Sequence, residues 1–192
     1  MSRTALPRNE QRVDYYPTPA WCVHRLLEAC ELPGGFWLEP AVGDGAIVRA
    51  VDAVRADVEW TTIDVRPEVE PDVVADFWAF GGATWSRRHM YDVAITNPPY
   101  SQALEFVQEA LKRARVVAML LRLGWLSSAS RAPFLREATP DVYVLPDRPS
   151  FDGQGSDSAD YAWMVWDRGH NARRRLAYLK VLAVTPVEKR RC

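Results

Sequence analysis

Four consecutive residues, Asn97-Pro98-Pro99-Tyr100, carry the strongest chemical signal in this chain of 192 residues. They follow directly on Tyr91–Thr96, a run that reads as a strand. Each proline fixes its own φ and pushes the residue before it toward extended backbone, so the loop is stiff and holds Asn97 at the carboxyl edge of a sheet. The Asn97 side-chain oxygen and the Pro98 carbonyl are then two acceptors that could face one NH2 group. Acceptors on the hydrogens of an exocyclic amine favour a more pyramidal, more nucleophilic nitrogen. Tyr100 offers a flat face on which a base can stack.

A second constellation lies upstream. Phe36-Trp37-Leu38-Glu39-Pro40 runs into Ala41-Val42-Gly43-Asp44-Gly45 and then into a helical pattern. A strand, a Gly-x-Gly turn and a helix N-terminus make a nucleotide-type site, because glycine lets the backbone approach a ligand closely. The third glycine of a dinucleotide fingerprint is absent, with Val48 in its place, and no Walker lysine follows, which argues against a pyrophosphate cradle. Asp64 ends the next predicted strand, where its carboxylate can accept from ribose hydroxyls. Glu39, just before the turn, can pair with an ammonium. Asp76 ends a third predicted strand and precedes Phe77, an acceptor beside a ring that suits an adenine edge and face. The ligand implied has a ribose, an adenine and a positive charge, and the acidic stretch 57–76 suits that charge. S-adenosylmethionine fits better than NAD or ATP. Cys22, Cys30 and Cys192, with His24, His89 and His170, show no metal-type spacing, so no metal is expected.

Short β-rich runs alternating with helical patterns predict an α/β fold with a mostly parallel sheet. Seven strands are expected, at Phe36–Glu39, Val58–Asp64, Val73–Asp76, Tyr91–Thr96, Val116–Leu121, Val142–Leu145 and Tyr161–Trp166. Helices fit the stretch between Pro19 and Pro33, Ala46–Ala56, Ser101–Arg115 (capped by Ser101) and Ser128–Ala138. Arg148–Asp160 reads as a loop, and residues 174–184 as either a last strand or a short helix. Trp37, Trp60 and Trp163 or Trp166 fall in strand-like runs and are expected in the core or half-buried. Trp78 and Trp85 follow Asp76, where packing is expected before a ligand contact.

An apolar fraction of 48% with 26% charged residues suits a packed domain. No apolar run is long enough to span a membrane, and Met1–Arg12 lacks an apolar signal core. Together with an odd number of cysteines, this predicts reduced thiols in a cytoplasmic protein. The net charge of −1 hides an asymmetry: residues 168–192 hold eight Lys/Arg against Glu188 alone. A basic tail on an acidic body can reach a polyanion.

The chain resembles the class I S-adenosylmethionine-dependent methyltransferases of the N6-adenine DNA methyltransferase family, in their small phage-type form, over most of residues 14–167. Tyr16-Pro17-Thr18-Pro19 is similar to the family's N-terminal cofactor motif. Glu39-Pro40 with Gly43 and Gly45 is similar to its motif I, Asp64 to its ribose-binding acid and Asp76–Phe77 to its adenine-contacting pair. Asn97–Tyr100 is similar to its catalytic motif. Arg148-Pro149-Ser150-Phe151 and Asp160–Trp166 are similar to a late segment in which an aromatic helps hold the flipped base. The resemblance implies a Rossmann-like class I methyltransferase fold, with a central seven-stranded, mostly parallel sheet flanked by helices. It implies one domain over 1–192, flexible ends at 1–13 and 185–192, and a loop at 146–160 involved in target contact. It further implies methyl transfer from S-adenosylmethionine to the N6 of an adenine rotated out of double-stranded DNA, with no membrane partner. Arg148, Ser150, Phe151 and Trp163 are the implied substrate contacts, and Arg173, Arg174 and Arg175 the phosphate contacts. RNA and a protein glutamine amide remain alternative substrates, and a non-catalytic nucleic-acid-binding module a more distant rival. No separate target-recognition domain stands out, so a short or relaxed recognition site is expected.

Overall fold

Strands that are apolar on both sides must be covered on both sides, and this requirement sets the architecture. The computed structural model describes residues 16–80, 90–151, 155–171 and 179–181. The strands are β1 (Gly35–Glu39), β2 (Val58–Asp64), β3 (Val73–Val74), β4 (Tyr91–Thr96), β5 (Ala114–Arg122), β6 (Asp141–Val144), β7 (Tyr161–Asp167) and β8 (Leu179–Val181). They form one sheet in the order β3-β2-β1-β4-β5-β7-β6-β8. β3, β2, β1, β4 and β5 run parallel, and β7 runs antiparallel between β5 and β6. This is the expected Rossmann-like, mostly parallel sheet of seven strands, with β8 added parallel to β6 at one edge. The undecided stretch 174–184 thus contains a strand.

Side chains alternate between the two faces, as β5 shows. Val116, Ala118 and Leu120 point to one cluster, Val117, Met119 and Leu121 to the other. The first face is covered by α1 (Ala20–Ala29) and α2 (Ala46–Asp52), which bury Cys22, Val23, Leu26, Ile47, Ala50 and Val51. The second is covered by α3 (Ala103–Arg113), whose Ala103, Phe106, Val107 and Ala110 recur at helical spacing. The short α4 (Ala132–Glu137) lays Phe134 and Leu135 on the same face. A four-residue helix, α5 (Arg168–Asn171), follows β7.

Several boundaries differ from expectation for local reasons. The helix expected from Ser101 begins two residues later. The diproline corner first continues as a 3₁₀ turn over Tyr100–Gln102, and no side chain caps α3. Residues 114–115 belong to β5, not to that helix. α2 stops at Asp52 and α4 spans only 132–137. β3 is two residues long, so Asp76 lies in the turn after it, where its carbonyl accepts from the Ala79 and Phe80 N–H groups at 2.9 and 3.1 Å.

Candidate active site

The parallel register of β1, β2, β3 and β4 brings their carboxyl ends to one edge of the sheet. That edge gathers Glu39, the glycine turn, Asp64, Asp76–Phe77 and Asn97, residues scattered over almost sixty positions of sequence. A cleft opens there. Pro17, Gly43, Asp64, Phe77, Asn97 and Phe106 are among its walls.

Gly43 and Gly45 both adopt positive φ, 56° and 77°, which lets the turn close tightly over the end of β1. Asp44 between them serves the helix: its Oδ1 accepts from the Ala46 N–H at 3.0 Å and its Oδ2 from Arg49 at 3.0 Å. The Gly43 N–H donates to Asp64 Oδ2 at 3.0 Å. Arg66 fills the rest of that carboxylate. Its backbone N–H and Nε donate to Oδ1 at 3.0 and 2.9 Å, and a terminal nitrogen donates to Oδ2 at 3.0 Å. All four acceptor positions of Asp64 are therefore in use. Burial pushes the Asp64 carboxyl up, but the bonds from Arg66 and Gly43 outweigh it and hold it below the usual carboxylate range.

Glu39 is the least solvated acid of the group, at 1% exposure. Oε1 accepts from the Ala41 N–H at 3.3 Å, while Oε2 is buried without a hydrogen-bond partner. Burial raises its carboxyl well above the ordinary range. It lies behind the cleft wall formed by Pro40 and Ala41 rather than on it.

At the Asn97 corner the side-chain amide is oriented by the N-terminal segment. Nδ2 donates to the Tyr16 carbonyl and to Thr18 Oγ1, each at 3.2 Å. Both N–H bonds are thus spent, and Oδ1 is left buried and unpartnered. Pro98 is buried beneath the corner. Two groups already lie against the Tyr100 ring: Tyr16, stacked at 5.9 Å, and the Arg122 guanidinium at 4.8 Å. A base stacking on Tyr100 must displace one of these exposed side chains. Burial also pushes the Tyr100 phenol above its ordinary range.

The far end of the cleft is aromatic. Phe77 stacks on Phe106 at 5.4 Å, and Trp78 meets Phe106 edge-on at 4.8 Å. Asp76 is exposed on the wall, with Oδ1 accepting from the Trp78 N–H at 3.0 Å. Arg113 braces this turn from below. It is 5% exposed, lies over the Phe77 ring, donates to the Phe80 carbonyl at 2.5 Å and pairs with Glu109 at 2.6 Å. Trp78, expected to pack, is 43% exposed and lines the cleft; Phe106 and Arg113 carried no sequence signal beyond the helical pattern of α3.

The late segment divides. Phe151 lies beside the Asn97–Tyr100 corner, 5.6 Å from the Tyr16 ring and edge-on to Tyr161 at 5.2 Å. Ser150 Oγ accepts from the Gly155 N–H at 3.4 Å, and Arg148 Nε donates to Asp160 at 2.8 Å with its side chain half exposed. Trp163 needs correction as a substrate contact. It is fully buried in the first cluster, and its indole N–H donates to the Cys22 carbonyl at 2.8 Å, so no base can reach it. Arg173, Arg174 and Arg175, like the ends 1–13 and 185–192 and Trp85, lie outside the described residues. Among the described residues no helix is long and apolar enough to cross a membrane, and no three metal-binding side chains converge.

No family model matches the chain, and no curated protein matches its sequence. Solved structures do match. The methyltransferase subunit of a type I restriction-modification system from Streptococcus thermophilus superposes with a TM-score of 0.63 at 15% identity, over 89% of this chain and 50% of that one. The 23S rRNA methyltransferase ErmE gives 0.58 at 14%, over 81% and 70%. A precorrin-6y C5,15-methyltransferase from Geobacter metallireducens gives 0.50 at 11%, over 77% and 85%. The chain has the class I methyltransferase fold. It spans half the length of the Streptococcus subunit it matches. The proteins that share this methyltransferase fold differ in target by their names alone, so the substrate must be argued from the site.

Proposed function

We propose that the chain methylates the N6 amine of adenine in double-stranded DNA, with S-adenosylmethionine as donor. The observation that carries the reading is the Asn97 amide. Its two N–H donors are spent on Tyr16 and Thr18, which leaves Oδ1 as an acceptor with nothing to accept from. A buried acceptor without a donor costs free energy unless a ligand supplies the hydrogen. An exocyclic amine supplies two.

The cleft residues suit the proposed donor molecule. The positive-φ glycine turn allows close backbone approach, Asp64 can take ribose hydroxyls once the Arg66 side chain swings off it, and Asp76 beside Phe77 offers an acceptor and a ring to adenine. The unpartnered Glu39 oxygen behind the wall favours a cation in front of it. When bound, S-adenosylmethionine supplies the methyl group as an electrophilic sulfonium substituent. Asn97 Oδ1 and the Pro98 carbonyl hold the target amine and draw density onto its nitrogen. With the Tyr16 ring swung off its stack on Tyr100, Tyr100 and Phe151 enclose the base, offsetting the few kcal/mol that unstacking costs.

Labelled methyl transfer from S-adenosylmethionine to duplex DNA, transfer RNA and protein, run in parallel, tests the reading. Label in duplex DNA, located on adenine by sequencing that detects N6-methyladenine, is the expected result. Label in RNA or protein alone would reassign the substrate. Cofactor binding without transfer to any of the three would favour a non-catalytic nucleic-acid-binding module.

A further inference from the structure

Arg122 was not among the residues singled out by sequence. It is the last residue of β5, at the same sheet edge as Asn97, and its side chain is exposed. Its guanidinium carbon sits 4.8 Å from the centre of the Tyr100 ring. Nε donates to the Tyr161 hydroxyl at 3.2 Å, and that hydroxyl donates onward to Asp157 Oδ2 at 2.9 Å. One nitrogen and one face of the guanidinium are therefore fixed, while no described residue accepts from its two terminal nitrogens. A planar fork held at one side and open at the other matches two oxygens of a phosphodiester.

The geometry points to Arg122 as a contact to the DNA backbone of the strand that carries the target adenine. Tyr100 touches both Arg122 and the Asn97 corner, so a phosphate on Arg122 lies within one nucleotide's reach of the proposed base pocket. The neighbouring charges permit this role. Asp157 is occupied by the Tyr161 hydroxyl, the Ala159 N–H and Ser158, and Asp160 by Arg148. Arg148, half exposed, pairs with Asp160, the residue before Tyr161. Such a contact fixes position and registers as affinity and salt dependence, not as base preference.

The inference rests on the DNA reading above, and its test separates the two. Binding of a fluorescent duplex oligonucleotide is measured by anisotropy across a salt series for wild type, R122Q and R122K, with cofactor affinity measured alongside. R122Q is expected to flatten the slope of log K against log salt by about 0.9, one duplex phosphate, and to weaken binding roughly eightfold at about 0.1 M salt. R122K keeps the charge and is expected to restore the slope, and cofactor affinity stays at the wild-type value in both. A wild-type slope in R122Q, or an R122K slope as flat as that of R122Q, overturns the phosphate contact while leaving the methyltransferase reading intact. A wild-type protein that binds no duplex overturns both.

Discussion

Asp64 shows how much a single side chain can differ from its motif role. A ribose-binding carboxylate needs vacant acceptor positions, yet Arg66 and Gly43 fill all four. Ribose hydroxyls can enter only if the Arg66 side chain, the partly exposed partner, swings away. Arg66→Ala is therefore expected to tighten S-adenosylmethionine binding by about two- to fivefold, the scale of a partly solvated ion pair, as read by calorimetry. Weaker binding would instead make Arg66 part of the bound site. Asn97→Ala is expected to lower turnover by about a hundredfold through loss of a preorganised acceptor, and to weaken cofactor binding by much less, through loss of the ties to Tyr16 and Thr18. Single-turnover methylation against cofactor titration separates the two quantities. Glu39 gives a pH signature. Its folded carboxyl holds a proton more tightly than the ordinary value of 4.5, so it favours the folded state at low pH. That contribution declines as pH rises above 4.5 and the unfolded chain ionises first. Denaturant titrations between about pH 5 and 8 should show a falling stability slope that E39Q lacks.

At the scale of elements, legibility followed the backbone. β1 and β4 were readable because their apolar runs end in residues that must stop a strand: Pro40 after Glu39, and Pro98-Pro99 after Asn97. The site residues that terminate those strands were readable with them. Lateral neighbours were not. Arg66, Phe106, Arg113 and Arg122 are ordinary in sequence, and only the packing of β2, α3 and β5 at one edge gives them a role. The strand-like run around Trp163 already read as core, but the resemblance also made it a base contact, because an aromatic motif reads alike whether it faces a ligand or a core; its place under α1 comes from strand order, which sequence does not contain. The entry to β1 is an element with a sharp constraint. Gly35 has φ of 102°, a Cβ there would strike the Asp92 carboxylate, and that carboxylate accepts from the Phe36 N–H at 3.0 Å. Gly35→Ala is expected to cost about 1–3 kcal/mol, seen as a lower urea midpoint at unchanged slope.

Over the whole molecule, long-range ties join the start of the described chain to its later strands. Trp163 of β7 reaches the Cys22 carbonyl of α1 across 141 positions. Trp163→Phe removes this tie and trims a fully buried side chain, and should lower stability by about 1–3 kcal/mol while any methyl transfer keeps its wild-type Michaelis constants, in keeping with a structural tryptophan. Thermal unfolding and steady-state kinetics report the two effects. The second tie is the one that spends both N–H groups of Asn97 on Tyr16 and Thr18. Those residues precede the first helix and belong to no sheet strand, yet they decide which way the unpartnered side-chain oxygen of a loop eighty positions downstream will aim. On the proposed reading the leading segment is half of the acceptor corner: a fusion, a cleavage or a binding protein that pulled it aside would release the Asn97 amide while every strand stayed folded.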